Sequence, residues 1–245
     1  MMNKLEGKVA IVTGGARGMG ESHVRKFVDE GAKVVLTDLN EEGGRALAEE
    51  LGESVRFVRQ DVTKAEDWQA VIEEAEAAFG PVQILVNNAG ISMAKTIFDL
   101  TEEEYRKIVD INQISVFLGI KAVIPSMQKA GGGSIVNISS MNGLVGGAPG
   151  YTDTKFAVRG LTKAAALQLA GLGIRVNSVH PGVIETPMVT KGDAVDQIKE
   201  FAKHIPLKRV AKSEEVSNMV LFLASDDSSY STGSEFVIDG GLTAM

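Results

Sequence analysis

Val9-Ala10-Ile11-Val12-Thr13-Gly14-Gly15-Ala16-Arg17-Gly18-Met19-Gly20 runs from an apolar segment straight into a glycine-rich turn. The apolar run Val9 to Val12 reads as a buried strand, and Glu21 to Glu30 as the helix that follows. Glycines between a strand and a helix permit a tight turn and let the backbone approach a phosphate closely. The helix start then offers unpaired N–H groups and the positive end of its dipole to a pyrophosphate. The spacing Gly14, Gly18, Gly20 is Gly-x-x-x-Gly-x-Gly, not the commoner Gly-x-Gly-x-x-Gly fingerprint. A glycine-rich turn with no ligand is therefore the plain alternative at this point.

Working outward, apolar runs alternate with helical patterns along the whole chain. Strands are expected at Val9–Thr13, Val34–Thr37, Val55–Val58, Ile84–Val86, Ser134–Ile138, Arg175–Val179 and Glu235–Ile238. Trp68, Val71, Ile72, Ala75 and Phe79 form one apolar helical face, which reads as core. Thr101 and Glu104 resemble a capping box, and Ser213 with Glu214 and Glu215 suggests another helix start. Alternating β and α elements predict an α/β fold: one doubly wound, Rossmann-type parallel sheet of seven strands with helices on both faces. No interdomain linker or repeat is visible, so 1–245 reads as a single domain, with a cofactor half at about 1–130 and a catalytic half at about 131–245. The irregular stretch 187–206 lies where a loop could close over a substrate.

Asp38 and Leu39 end the second apolar run, and Asp38 lies eighteen residues beyond Gly20. A carboxylate there can accept hydrogen bonds from an adenosine ribose and would repel the extra phosphate of NADP. This favours NAD, with NADP as the alternative because Arg17 in the turn could reach such a phosphate. Tyr151 and Lys155 are four residues apart, about one helical turn, so phenol and ammonium share a face. A cation beside a phenol favours the phenolate and brings its pKa toward a useful range. Ser140 lies eleven residues upstream.

Together these residues resemble the short-chain dehydrogenase/reductase family over essentially the whole chain. The likeness is carried by Thr13–Gly20, Asp61-Val62, Asn87-Asn88-Ala89-Gly90, Asn112, Ser140, Tyr151, Lys155 and Pro181-Gly182-Val183-Ile184-Glu185-Thr186, in that order. Within the family it is most similar to the bacterial 3α(20β)-hydroxysteroid dehydrogenases and related secondary-alcohol dehydrogenases, through the stretches 14–20, 175–182 and 228–233. The resemblance implies Tyr151 as acid/base and Lys155 as the cation that lowers the phenol's pKa and holds the nicotinamide ribose. It implies Ser140 as the hydroxyl facing the substrate oxygen and Asn112, a poor mid-helix residue, as holder of a water in a proton path. Gly14, Arg17, Gly18, Met19 and Gly20 would cradle the pyrophosphate. Asp61 and Val62 would flank the adenine, while Asn88, Ala89 and Gly90 would approach the adenosine ribose and phosphates. Pro181 and Gly182 would turn the chain so that the Ile184 backbone meets the carboxamide and Thr186 helps fix the ring. The interval from Ser140 to Tyr151 is shorter than is usual in the family, which alters the loop Met141 to Gly150 that normally touches substrate and leaves Ser139 as the alternative to Ser140. The family is usually tetrameric, so a homotetramer is expected.

Composition bounds the rest. The chain has 245 residues, no Cys and three His (His23, His180, His204) without metal-ligand spacing, so no metal site is expected and the histidines read as structural or surface. A net charge of −7 argues against nucleic acid as a partner. Met1 to Gly7 shows no signal-peptide core, and no run nears the length of a membrane span, so a cytoplasmic location is expected. The expected activity is NAD(H)-linked interconversion of a secondary alcohol and a ketone on a small, hydrophobic or cyclic substrate. One alternative is an NADPH-dependent 3-oxoacyl-[acyl-carrier-protein] reductase, disfavoured because Ser126 to Gly133 offers an acidic carrier only Lys129. The other is a dinucleotide-binding regulator without catalysis.

Overall fold

A computed structural model describes residues 3–186 and 200–245. The chain runs β1 (Val9–Thr13), α1 (Gly18–Asp29), β2 (Lys33–Asp38), α2 (Glu41–Leu51), β3 (Val55–Arg59), α3 (Ala65–Phe79), β4 (Ile84–Asn87), α4 (Glu102–Val109), α5 (Ser115–Lys129), β5 (Gly133–Ile138), α6 (Tyr151–Leu169), β6 (Ile174–Pro181), β7 (Ile184–Glu185), β8 (Ala211–Lys212), α7 (Ser213–Ala224) and β9 (Glu235–Ile238).

Side-chain alternation along the strands decides which helix covers which face. In β1, Ala10 and Val12 join one core cluster and Val9 and Ile11 the other. Val34 and Leu36 of β2 join the first, and Val35 the second. Helices α1, α2 and α7 close the first face with Val24, Phe27, Leu47, Val216 and Val220. Helices α3, α5 and α6 close the second with Trp68, Val71, Val123, Met127 and Leu169. Each such fully buried apolar side chain contributes roughly 1.5–3 kcal/mol, so both layers are needed to stabilise a sheet whose central strands are apolar on both sides.

The seven expected strands form one sheet in the order β3-β2-β1-β4-β5-β6-β9, and every pair is parallel. Strand progression reverses between β1 and β4, which opens a crevice at the carboxyl ends of those strands, where ligands bind in this architecture. A small parallel pair, β7 with β8, was not expected from the sequence. Two residues each is too short for a period of two to register.

Local expectations were met unevenly. The Thr101/Glu104 capping box is present, with Thr101 Oγ accepting from the Glu104 N–H at 3.2 Å and the Glu104 carboxylate accepting from the Thr101 N–H at 3.0 Å. Ser213 is not the cap of α7. It is the first helical residue, and the Glu215 carboxylate accepts from the Lys212 N–H at 2.9 Å. Helix α1 begins at Gly18, three residues before the expected start, so the glycine turn itself carries the first helical turn. One continuous helical stretch, Glu102–Lys129, is long and apolar enough by length and composition to cross a membrane, which the sequence reading did not anticipate. Its apolar residues Val116, Ile120, Val123 and Met127 belong to the core that includes Trp68. The expected substrate-covering stretch 187–206 lies outside the described residues up to 199, and within its remainder Ile205 is buried beside Gly240.

Candidate active site

The crevice is lined on its first side by the turn after β1. Gly14 adopts φ +63°, in the left-handed region that glycine favours. A Cβ on Gly20 would lie 2.0 Å from the Gly14 carbonyl oxygen, so the chain folds back on itself there only because no side chain intervenes. Thr13, read from the sequence only as the start of the glycine segment, clasps this turn to β4. Its Oγ1 accepts from the Asn88 and Ala89 N–H groups, both at 3.0 Å, and the Asn88 amide donates to the Thr13 carbonyl at 2.9 Å. Asn88, Ala89 and Gly90 thus stand beside the turn as expected.

Asp38 ends β2 beside the same turn. Its carboxylate accepts from the Ala16 N–H at 3.2 Å and from the Asn40 N–H at 3.0 Å. Arg17 is exposed and precedes the first residue of α1, and the first N–H groups of that helix, at Gly18, Met19 and Gly20, have no partner one turn earlier. Leu39 and Asp61 border a cavity of ≈ 740 Å³ with Thr63, Arg106, Asp110 and Ile111. That cavity lies beyond the end of β2 and is not lined by Tyr151. Asp61 accepts from the Thr63 N–H at 3.0 Å and hydroxyl at 2.7 Å, and Val62 gives its carbonyl to the Trp68 indole at 2.9 Å. These features fit a dinucleotide: free helix-start N–H groups over a glycine turn, an anchored carboxylate at the second strand end, and a cavity beyond it.

The second side is built on β5 and α6. Lys155 is 4 % exposed, its ammonium donates to the Ile138 carbonyl at 2.8 Å, and it stands 5.5 Å from the centroid of the Tyr151 ring. The Ser140 hydroxyl lies by the Tyr151 phenol, whose pKa it lowers. Ser139, one residue earlier, is committed elsewhere, with its hydroxyl donating to the Lys155 carbonyl at 2.9 Å. Asn112 comes in from below. Its Oδ1 accepts from the Ile91 N–H and its Nδ2 donates to the Ile91 carbonyl, both at 2.8 Å. A Cβ on Gly90 would sit 3.3 Å from Asn112 Oδ1 and 3.5 Å from Lys155 Nζ, so the loop after β4 joins the two sides. Asn112 was expected in an ordinary helix. It lies in a π-helical turn, Asp110–Ile114, between α4 and α5, and such widened turns carry no short-range sequence signal.

The electrostatics depart from one expectation. The Tyr151 phenol is not lowered on balance. Burial raises its pKa, and the hydrogen bond with Ser140 only partly opposes this. Burial outweighs any help from the Lys155 ammonium, which stands 5.5 Å from the ring centroid and is itself brought down to about 8 by burial.

Further along, Pro181 ends β6, and the Gly182 N–H donates to the Ile238 carbonyl at 3.0 Å. Ile184 turns its side chain into the core, 5 % exposed, leaving its backbone for contacts, and Thr186 follows at the edge of the described residues. Of the histidines, His23 is buried against Ser217, His204 is exposed, and His180 is buried against Ser140. The sequence reading had no reason to connect His180 with the site.

A family model described as enoyl-(acyl carrier protein) reductase matches residues 14–243. The chain is 54% identical to the 3-alpha-(or 20-beta)-hydroxysteroid dehydrogenase of Mycobacterium tuberculosis over 246 residues, covering 100% of this chain and 92% of that one. It is 47% identical to the trans-4-hydroxycyclohexanecarboxylate dehydrogenase of Sinomonas cyclohexanicum over 248 residues, 97% of this chain and 93% of the relative. It is 41% identical to the NADP-dependent (R)-specific alcohol dehydrogenase of Lentilactobacillus kefiri over 252 residues, 100% of both.

Proposed function

The chain belongs to the short-chain dehydrogenase/reductase family, an oxidoreductase fold acting on alcohol groups, and from that premise we propose that it interconverts a cyclic or otherwise hydrophobic secondary alcohol and its ketone with NAD(H). The observation that carries this is the convergence of Ser140, Tyr151, Lys155 and Asn112 at the open end of the crevice. A nicotinamide dinucleotide, when bound, supplies the hydride acceptor or donor. Gly14, Arg17, Gly18, Met19 and Gly20 hold its pyrophosphate, Asp38 and Leu39 its adenosine, and Pro181, Gly182, Ile184 and Thr186 its carboxamide end.

The protein's part of the chemistry is proton transfer and orientation. Tyr151 gives its phenolic proton to the carbonyl oxygen in reduction and takes the alcohol proton in oxidation. Because burial keeps the phenol protonated, reduction proceeds at neutral pH, while oxidation speeds up as pH rises. Ser140 donates to the substrate oxygen and stabilises its developing charge. Lys155 holds ribose hydroxyls from its post on the Ile138 carbonyl. Asn112 anchors the proton path.

NAD is preferred because the Asp38 carboxylate, fixed by two backbone N–H groups, leaves no room for a neighbouring phosphate charge. Family likeness does not choose here, since the Lentilactobacillus kefiri relative is named NADP-dependent. An acyl-carrier-protein substrate is disfavoured: Lys129 is already paired with Glu76 at 2.8 Å. Exposed Phe117, Phe156 and Leu167 on α5 and α6, with Val237 on β9, suit a homotetramer. The test is the nicotinamide absorbance with purified protein, NADH or NADPH, and a panel of cyclic ketones and steroids. Turnover with NADH is expected. Consumption of neither coenzyme with any ketone would leave a non-catalytic binding protein, and a several-fold preference for NADPH would revive the acyl-carrier reading.

A further inference from the structure

We infer that His180 is a positioning residue for Ser140, acting through the serine's backbone carbonyl. The inference rests on the reading of Ser140 as the hydroxyl facing the reacting oxygen.

β5 and β6 run in register as far as Ile138 and Val179. The Ser139 N–H donates to the Val179 carbonyl at 2.8 Å, beyond the paired residues. Ser140 then leaves the sheet to cap the short turn Met141–Gly143, where its Oγ accepts from the Asn142 N–H at 3.1 Å. Its carbonyl, in a residue 7 % exposed, no longer has a strand to pair with; it accepts instead from the Gly143 N–H at 2.8 Å, which leaves its second lone pair for another donor. His180, the residue after Val179, supplies that second donor from its ring. Nδ1 stands 3.0 Å from the Ser140 oxygen.

The partners fix the ring's proton. A carbonyl can only accept, so Nδ1 carries the hydrogen. Nε2 of the neutral ring then accepts, and the Ser178 hydroxyl at 2.9 Å donates to it. Both Ser178 and His180 are fully buried, and burial favours the neutral imidazole this arrangement requires. The result is a directed chain from the Ser178 hydroxyl through His180 to the Ser140 carbonyl. It holds the peptide plane after Ser140, and with it the direction in which Oγ meets Tyr151.

Three substitutions separate positioning from packing. Asn sets an amide nitrogen near the place of Nδ1, whereas Gln reaches toward that of Nε2. His180→Asn is expected to keep kcat within about threefold of the parent, and His180→Gln and His180→Ala to lower it about tenfold, the worth of one buried hydrogen bond. The KM for coenzyme stays unchanged in all three. In a Ser140→Ala background the Gln substitution should cost nothing more, because the two residues act as one unit. Should the Gln variant fail to fold, Ser178→Ala replaces it, with a smaller kcat loss that likewise vanishes beside Ser140→Ala. Equal rates for Asn and Gln, or losses that multiply with Ser140→Ala, overturn the inference. If Ser140→Ala alone leaves kcat untouched, the underlying reading of the site fails instead.

Discussion

The two sides of the crevice do their work with different parts of the polypeptide. Beside β1 the business end is backbone: Gly14 at positive φ, Gly20 pressed against the Gly14 carbonyl, the N–H groups opening α1, and one carboxylate, Asp38, that holds Ala16 and Asn40. Beside β5 it is side chains taken out of water: Lys155 on the Ile138 carbonyl, Tyr151 on Ser140, Ser140 on His180. Anion binding by N–H groups needs only local geometry and tolerates an open surface. Proton transfer needs a phenol and an ammonium with displaced pKa values, and displacement requires burial. The first side draws on residues 14 to 40, and the second on residues from Asn112 to His180.

The sharpest way to separate the two is Tyr151→Phe. It should lower kcat by about 10²–10⁴-fold while coenzyme affinity, read by calorimetry, stays near that of the parent. Parent-level activity would remove Tyr151 from its role. The opposite break is Gly20→Ala. The new Cβ meets backbone at 2.0 Å, not a side chain that can move. A stability loss of roughly 1–3 kcal/mol and at least about tenfold weaker coenzyme binding are expected, by thermal unfolding and calorimetry. Unchanged affinity would mean that the turn does not hold the pyrophosphate.

Asp38→Ala tests whether a side chain on the backbone-built side selects the coenzyme. The ratio of kcat/KM for NAD over NADP should fall by about tenfold, the scale of one charge-assisted hydrogen bond. Because Asp38 also holds the turn, a modest stability loss accompanies it. An unmoved ratio would assign Asp38 to the turn alone. The mildest test uses His23 on α1, buried away from the site, where burial lowers the pKa from 6.5 to about 3. Between those values the unfolded chain takes up a proton that the folded one refuses, so stability declines as pH falls below about 6.5, by up to about 1.4 kcal/mol per pH unit. His23→Asn should flatten this acid limb in urea titrations. An identical slope in the variant would show that carboxylates alone set it.

How much of this was legible beforehand follows from the same division. The seven strands were visible because each is an apolar run bounded by turn residues, and parallel strands covered on both faces must be apolar throughout. The glycine turn, Asp38, and the Tyr151/Lys155 spacing were visible for the same local reason. The π-turn around Asn112, the Thr13 clasp, the cap of α7 at Lys212 in place of Ser213, and the link from His180 to Ser140 were not. The cap turns on which of two neighbouring residues starts the helix; the contacts of Thr13, Asn112 and His180 depend on which distant backbone group arrives within 3 Å or so of a side chain.

By itself, then, the order of residues determined the sheet, the glycine turn proposed to face a phosphate, and the pairing of Tyr151 with Lys155, since these arise from periodicity and spacing over a few turns of chain. Only the folded molecule decided the state of that pair. Burial raises Tyr151 and brings Lys155 down to about 8, and His180 from the adjoining strand donates to the Ser140 carbonyl. The displacement of a charge depends on the water removed around it, and that is settled by packing between segments a sequence lists far apart.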